Sequence, residues 1–170
     1  MPALTIAELR DEEELQLCVA LLRAAFGTVA KEFDLTEVSA PTNAAFTTIE
    51  NLCKHLLNGM TLYGMCVASK LVGCVGVKKS KADSLVFYIE RLAVAPEERH
   101  RGYGDKLLAF SIEQIQKRGG TTASIGLMDN NAKLKEWYRS KGFVQHDCRR
   151  IGSLPFKVCF MSRSVVQDLG

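Results

Sequence analysis

The chain has 170 residues, of which 47% are hydrophobic and 24% charged, and its formal net charge is +3. That length suits one domain, residues 1–170, with a real core, and the composition excludes a disordered chain. The charge is too small to demand a nucleic acid, no apolar run approaches a bilayer span, and the start, Met1-Pro2-Ala3-Leu4-Thr5, lacks the pattern of a signal peptide, so a cytoplasmic chain with no nucleic-acid or membrane partner is expected.

In chain order, Leu4 to Leu9 alternates apolar and polar residues and predicts a short strand. Asp11 is placed to cap a helix whose stripe is Leu15, Cys18, Val19, Leu22 and Phe26. Asp34 to Asn43 reads as irregular, with Pro41 as a break, and the whole loop to the next helix is taken as Gly27 to Asn43. The second helix carries Phe46, Ile49, Cys53 and Leu56 on one face and ends near Asn58-Gly59. Thr61 to Ala68 and Leu71 to Val77, separated by Ser69-Lys70, predict a hairpin. Leu85 to Val94 predicts a longer, central strand, apolar on both faces.

After Pro96, a polar turn from Glu97 to Arg101 leads into a helix over Tyr103 to Arg118, with Leu107, Leu108, Ser111, Ile112 and Ile115 inward. Gly119-Gly120 stops it. A strand over Thr121 to Leu127 follows, then Asp129-Asn130-Asn131 caps a short helix to Lys141 that Gly142 ends. Strands over Phe143 to Arg150 and Pro155 to Arg163 close an α/β pattern of one domain.

Six cysteines, Cys18, Cys53, Cys66, Cys74, Cys148 and Cys159, stand singly in apolar segments, which predicts buried thiols and no metal site. His55 and His146 have no ligand-spaced partner either. Lys78, Lys79 and Lys81, like Arg149-Arg150, are too few to mark a nucleic-acid surface.

One segment has a chemistry of its own. Arg99-His100-Arg101-Gly102-Tyr103-Gly104 places a basic turn with two close glycines between a strand and a helix. A helix start leaves amide N–H groups unpaired and its dipole favours negative charge, so such a turn is suited to phosphate. Gly102 and Gly104 let backbone approach an anion closely, while Arg99 and Arg101 add charge at the rim. Glycines at such a junction also serve conformation alone, and neither the Walker ending nor the dinucleotide fingerprint is present.

Leu92 to Gly104 resembles the core motif of the GNAT superfamily of N-acetyltransferases, a strand followed by Gln/Arg-x-x-Gly-x-Gly/Ala and a helix, with Arg99, Gly102 and Gly104 in its defining positions. Asn131 through Trp137-Tyr138 to Gly142-Phe143 is similar to the family's Asn…Tyr…Gly-Phe segment. The resemblance implies the GNAT fold, a mixed twisted sheet of about seven strands flanked by helices. It implies acetyl-CoA as cosubstrate, with the pyrophosphate on the amides from His100 through Arg101, Gly102, Tyr103 and Gly104 to Asp105. The pantetheine arm would run beside Leu92, Ala93 and Val94 in a gap where that strand splays from its neighbour, with Asn131 against it.

The implied reaction carries the acetyl group directly to a primary amine of a small molecule, peptide or protein. Tyr138 matches the family's proton donor to the departing sulfur; a phenol near pKa 10 is only slightly less acidic than a thiol near about 8–9. Read from its neighbours alone, Tyr138 is also an ordinary half-buried aromatic. Glu90 is the candidate base, placed by strand alternation on one face with Tyr88, Leu92 and Val94. An ionised carboxylate there needs a partner, so a pairing cation and a water relay stay open. The backbone N–H of Leu92 or Val94 is the candidate to polarise the thioester carbonyl, provided the strand is distorted.

The acceptor is expected to meet the first two helices, their loop and the last two strands, where Glu32, Asp34 and Glu37 suit a cationic amine. A non-catalytic acyl-CoA sensor of the same fold is the alternative, and a homodimer stays open.

Overall fold

Asp11 begins the first helix by a reciprocal cap. Its Oδ1 accepts from the Glu14 amide at 2.8 Å, and Glu14 Oε2 accepts from the Asp11 amide at 3.3 Å. The structure, a computed structural model, describes residues 2–166. Strand β1 is Leu4–Glu8 and helix α1 Glu12–Glu32. The helix runs through Gly27, five residues past the expected start of the loop, because Val29 and buried Ala30 continue its periodicity. One glycine costs a helix only about 1 kcal/mol, too little to end it.

Helix α2, Ile49–Leu57, begins at the Thr48 cap, whose Oγ1 accepts from the Asn51 amide at 3.2 Å. That cap separates it from Phe46, which lies in a 3-10 turn at Ala44–Phe46 rather than on the helix as the periodicity suggested. The inward side chain is accordingly Leu52, fully buried, with Ile49, Cys53 and Leu56 half-buried beside it.

Strands β2, Met60–Val67, and β3, Lys70–Lys79, pair across a turn at Ala68-Ser69, both with positive φ, as a tight hairpin turn requires. Strand β4 is Val86–Val94 and a 3-10 turn at Pro96–Glu98 leads to α3, Tyr103–Lys117. Strand β5 is Thr122–Met128, α4 is Ala132–Ser140, β6 is Val144–Arg150 and β7 is Lys157–Ser164. The seven strands form one mixed sheet in the order β1-β2-β3-β4-β5-β7-β6, antiparallel except for β4 with β5. The expected α/β architecture of a seven-stranded mixed sheet flanked by helices is therefore present. Among the described residues, no helix is long and apolar enough to cross a membrane.

Two cores lie on opposite faces. Leu15, Cys18, Leu22, Leu52 and Leu62 pack under α1 and α2, while Val75, Val77, Phe87, Leu107 and Ile115 pack under α3. Strand β4 divides the sheet, and it is irregular on both edges. Toward β3, the register steps from Cys74 opposite Ala93 to Gly76 opposite Glu90, so Arg91 and Leu92 together face Val75. This is a β-bulge, and Arg91 takes the left-handed conformation at φ +52°. A non-glycine residue there costs roughly 1–2 kcal/mol, which surrounding contacts must offset.

The extra residue inverts the alternation beyond it. Phe87 and Ile89 join the α3 core, and so do Leu92 and Val94, whereas Ala93 and Ala95 turn to the α1 core. Glu90 therefore shares the α2 face with Tyr88 as expected, but not with Leu92 and Val94. Strict period-two counting holds only where no residue is inserted.

Candidate active site

Toward β5, the pairing of β4 ends early. Only Val86, Phe87 and Tyr88 have partners, Thr122, Ala123 and Ser124, after which the strands separate. A parallel pair that stops pairing leaves backbone groups without a sheet partner along its inner edges. A cleft of about 560 Å³ borders the freed end of β4 and lies between it, the second half of α1, the start of α3 and α4.

Most residues singled out from the sequence meet there. Leu92, Ala93, Val94, Arg99, His100, Gly102, Tyr103, Gly104, Asp105 and Asn131 all line the cleft. Arg101 does not, and instead pairs with Glu98 at 3.4 Å. Glu90 and Tyr138 are also absent from its wall. Phe26, which packs against the α1 core as its periodicity predicts, also lines the cleft, as do Val29 of α1 and Trp137 of α4. Among the described residues, no cluster of three or more metal-ligating side chains is present.

Beyond the end of β4, on the open side of the split, the backbone is suited to an anion. Glu98 and Arg99 bond back to Ala95 and Pro96, and Lys106 is the first amide of α3 to bond back, to Gly102 at 3.2 Å. The six amides between, His100 to Asp105, have no acceptor among the described residues. His100 at φ +65° and Gly102 at φ +81° turn this backbone into a concave nest of N–H groups. An ideal Cβ on Gly102 would meet nothing within 4 Å, so the glycine serves conformation and ligand approach, not packing.

Arg99 is spent differently from the rim charge expected of it. Its Nη2 donates to the Ala25 carbonyl and to Thr28 Oγ1, each at 3.0 Å, and so ties the turn to α1. Asn131 caps α4, its Oδ1 accepting from the Leu134 amide at 3.3 Å.

Tyr138, next to the cleft residue Trp137 on α4, is buried in the α3-side core, with its ring edge-on to Trp137 at 4.9 Å and to Phe143 at 5.3 Å. Its hydroxyl has no hydrogen-bond partner among the described residues. Burial pushes the phenol well above its ordinary value, so the gap to a thiol is wider than the near-match expected from the sequence.

Glu90, at a third exposed, has the cation whose identity the sequence left open: Arg91 Nη1 lies 3.4 Å from Glu90 Oε2. Arg91 Nη2 also lies 2.7 Å from His55 Nε2 on α2. Sequence reasoning passed over both partners. The one signal available was a charged Glu-Arg pair inside an otherwise apolar strand.

Fold and cleft together describe an α/β protein with a split sheet and, past the end of β4 where the split is open, a turn of unpaired amides. The family of acetyltransferase (GNAT) domains matches residues 61–145, half of the chain, and the chain belongs to that family. No curated protein matches it by sequence. Among solved structures, it is similar to the PaiA N-acetyltransferase of Thermoplasma acidophilum in complex with coenzyme A, at 18% identity over 95% of this chain and 99% of that one, with a TM-score of 0.78. It is also similar to the ribosomal-protein-S18-alanine N-acetyltransferase of Escherichia coli, at 17% identity over 97% and 96%, with a TM-score of 0.75. A GNAT family acetyltransferase of Elizabethkingia anophelis with acetyl-CoA bound shares 16% identity over 95% and 97%, with a TM-score of 0.65.

Proposed function

We propose that the protein is an acetyl-CoA-dependent N-acetyltransferase acting on a primary amine by direct transfer. The observation that carries this reading is the row of six unpaired amides, His100 to Asp105, in a cleft beside the end of β4 that has parted from β5. A pyrophosphate fits such a nest better than a single carboxylate, since six donors exceed what one carboxylate accepts. An acyl arm extending from it passes Leu92, Ala93 and Val94, whose inner edge has no β5 partner.

Acetyl-CoA would supply the acetyl group as a thioester. The chain's own groups supply position and protons. Glu90, on the α2 face with Tyr88, takes a proton from the amine as it attacks. Tyr138 Oη–H, held neutral by burial, donates to the departing sulfur. The acceptor approaches over the open face of the sheet, where Tyr88, Phe160 and Ser162 are only partly covered.

A second reading has one observation in its favour. Glu90 and Tyr138 lie off the cleft wall, as a non-catalytic acyl-CoA sensor would tolerate. Calorimetric titration with CoA and acetyl-CoA, then thiol release with spermidine, an aminoglycoside, an alanyl peptide and a lysyl peptide, separates the two. Binding with amine-dependent thiol release supports the enzyme; binding without release for any amine supports the sensor.

A further inference from the structure

Arg91 combines three features that ordinary strand residues lack. It is the left-handed residue of the β4 bulge at φ +52°, a conformation that glycine or asparagine adopts at lower cost. Its side chain is only 14% exposed. Its Nε is one of two buried side-chain polar atoms, among the described residues, without a partner. A strained backbone and a buried guanidinium at one position imply that the side chain has a task there.

The contacts say which task. The guanidinium reaches Glu90 Oε2 through Nη1 at 3.4 Å and His55 Nε2 through Nη2 at 2.7 Å. Arginine has no acceptor, so His55 must accept, which makes it neutral with its proton on Nδ1. The backbone end is held as well, since Cys74 Sγ–H donates to the Arg91 carbonyl at 3.5 Å.

We propose that Arg91 is a positioning residue for acetyl transfer, holding the Glu90 carboxylate on the open face of β4 and keeping His55 neutral beside it. The proposal rests on the reading of Glu90 as the base. A neutral His55 cannot pair with Glu90 as a rival cation. A fixed positive charge near the acceptor also favours the unprotonated, attacking form of an amine. Burial, then Arg91 and Lys78, push the His55 pKa down, against Glu90, which raises it.

Arg91→Gly removes the guanidinium while keeping the left-handed backbone accessible. The expected result is turnover lowered by about 100-fold, CoA affinity within about twofold, and recovery of at least about tenfold in turnover on adding millimolar guanidinium. In the protein alone, His55 ring nitrogen shifts should change from the Nδ1–H tautomer to a mixture, with titration at higher pH. Unchanged turnover with unchanged His55 shifts overturns the positioning role. Lost turnover with weakened CoA binding and no guanidinium recovery also overturns it, since that is a folding defect at the bulge. Glu90→Gln with wild-type turnover overturns the base, and this proposal with it; an inactive Glu90→Gln beside a fully active Arg91→Gly overturns the positioning role alone.

Discussion

Strands β3 and β7 have similar lengths and opposite surroundings. β3 buries six consecutive residues, Val72 to Val77, because helices cover both of its faces. β7 alternates, with Cys159 and Met161 buried and Val158, Phe160 and Ser162 only half-covered. The sheet therefore has a covered half, centred on β2 and β3, and a half-open one, ending in β7 and β6. The cleft lies at their boundary, where β4 turns from covered to open.

The largest expected effect tests that division by stability. Phe87 is fully buried in β4, so Phe87→Ala should cost about 3–5 kcal/mol in urea unfolding, against about 1 kcal/mol for half-covered Phe160→Ala. Equal costs would mean that the two halves are packed alike.

At the boundary, Gly102→Val should weaken CoA binding by at least about 100-fold by titration calorimetry, because a β-branched residue resists a positive φ and its side chain covers the amides. Gly104→Ala should change affinity by less than about tenfold, since the added Cβ meets the Trp137 ring at an ordinary 3.7 Å. Retained affinity in a folded Gly102→Val would take the anion away from the turn.

Kinetics sharpen the contrast further. Tyr138→Phe, on the covered side, should lower kcat by about 100-fold with CoA affinity unchanged, whereas Phe160→Ala should raise KM for the amine several-fold and leave kcat within about twofold. The reverse pattern would place the acceptor on the other face.

The smallest effect is on pH. The folded-state pKa of His55 lies below its ordinary value of about 6.5, chiefly through burial. As pH falls below that value the unfolded chain takes up the proton first, so this contribution to stability is complete above about pH 6.5 and lost on acidification. His55→Asn should flatten the melting temperature between about pH 6.5 and 5; an unaltered slope would mean that the ring is solvated in the folded protein.

Where local rules acted alone, sequence and structure agree. The Asp11 cap, the Gly119 and Gly142 stops and the inward line of α3 depend on neighbours within one turn, which the sequence displays directly. Gly102 and Gly104 marked the nest for the same reason. The length of α1 and the start of α2 depart from the sequence expectation, because Gly27 and Phe46 take their conformation from the packing around them, while Ile49, Cys53 and Leu56 face the core as expected.

The sequence by itself determined the order of elements, the glycine turn before α3 and the likeness to one family, since these rest on spacing, glycine and capping. Only the tertiary structure decided that Arg99 ties the turn to α1, that Tyr138 is buried in the core, and that a bulge at Arg91 turns Leu92 and Val94 away from Glu90. The physical reason is that each depends on a partner from a distant element. A hydrogen bond across 74 residues or a one-residue step between strands leaves no period in the sequence from which to read it.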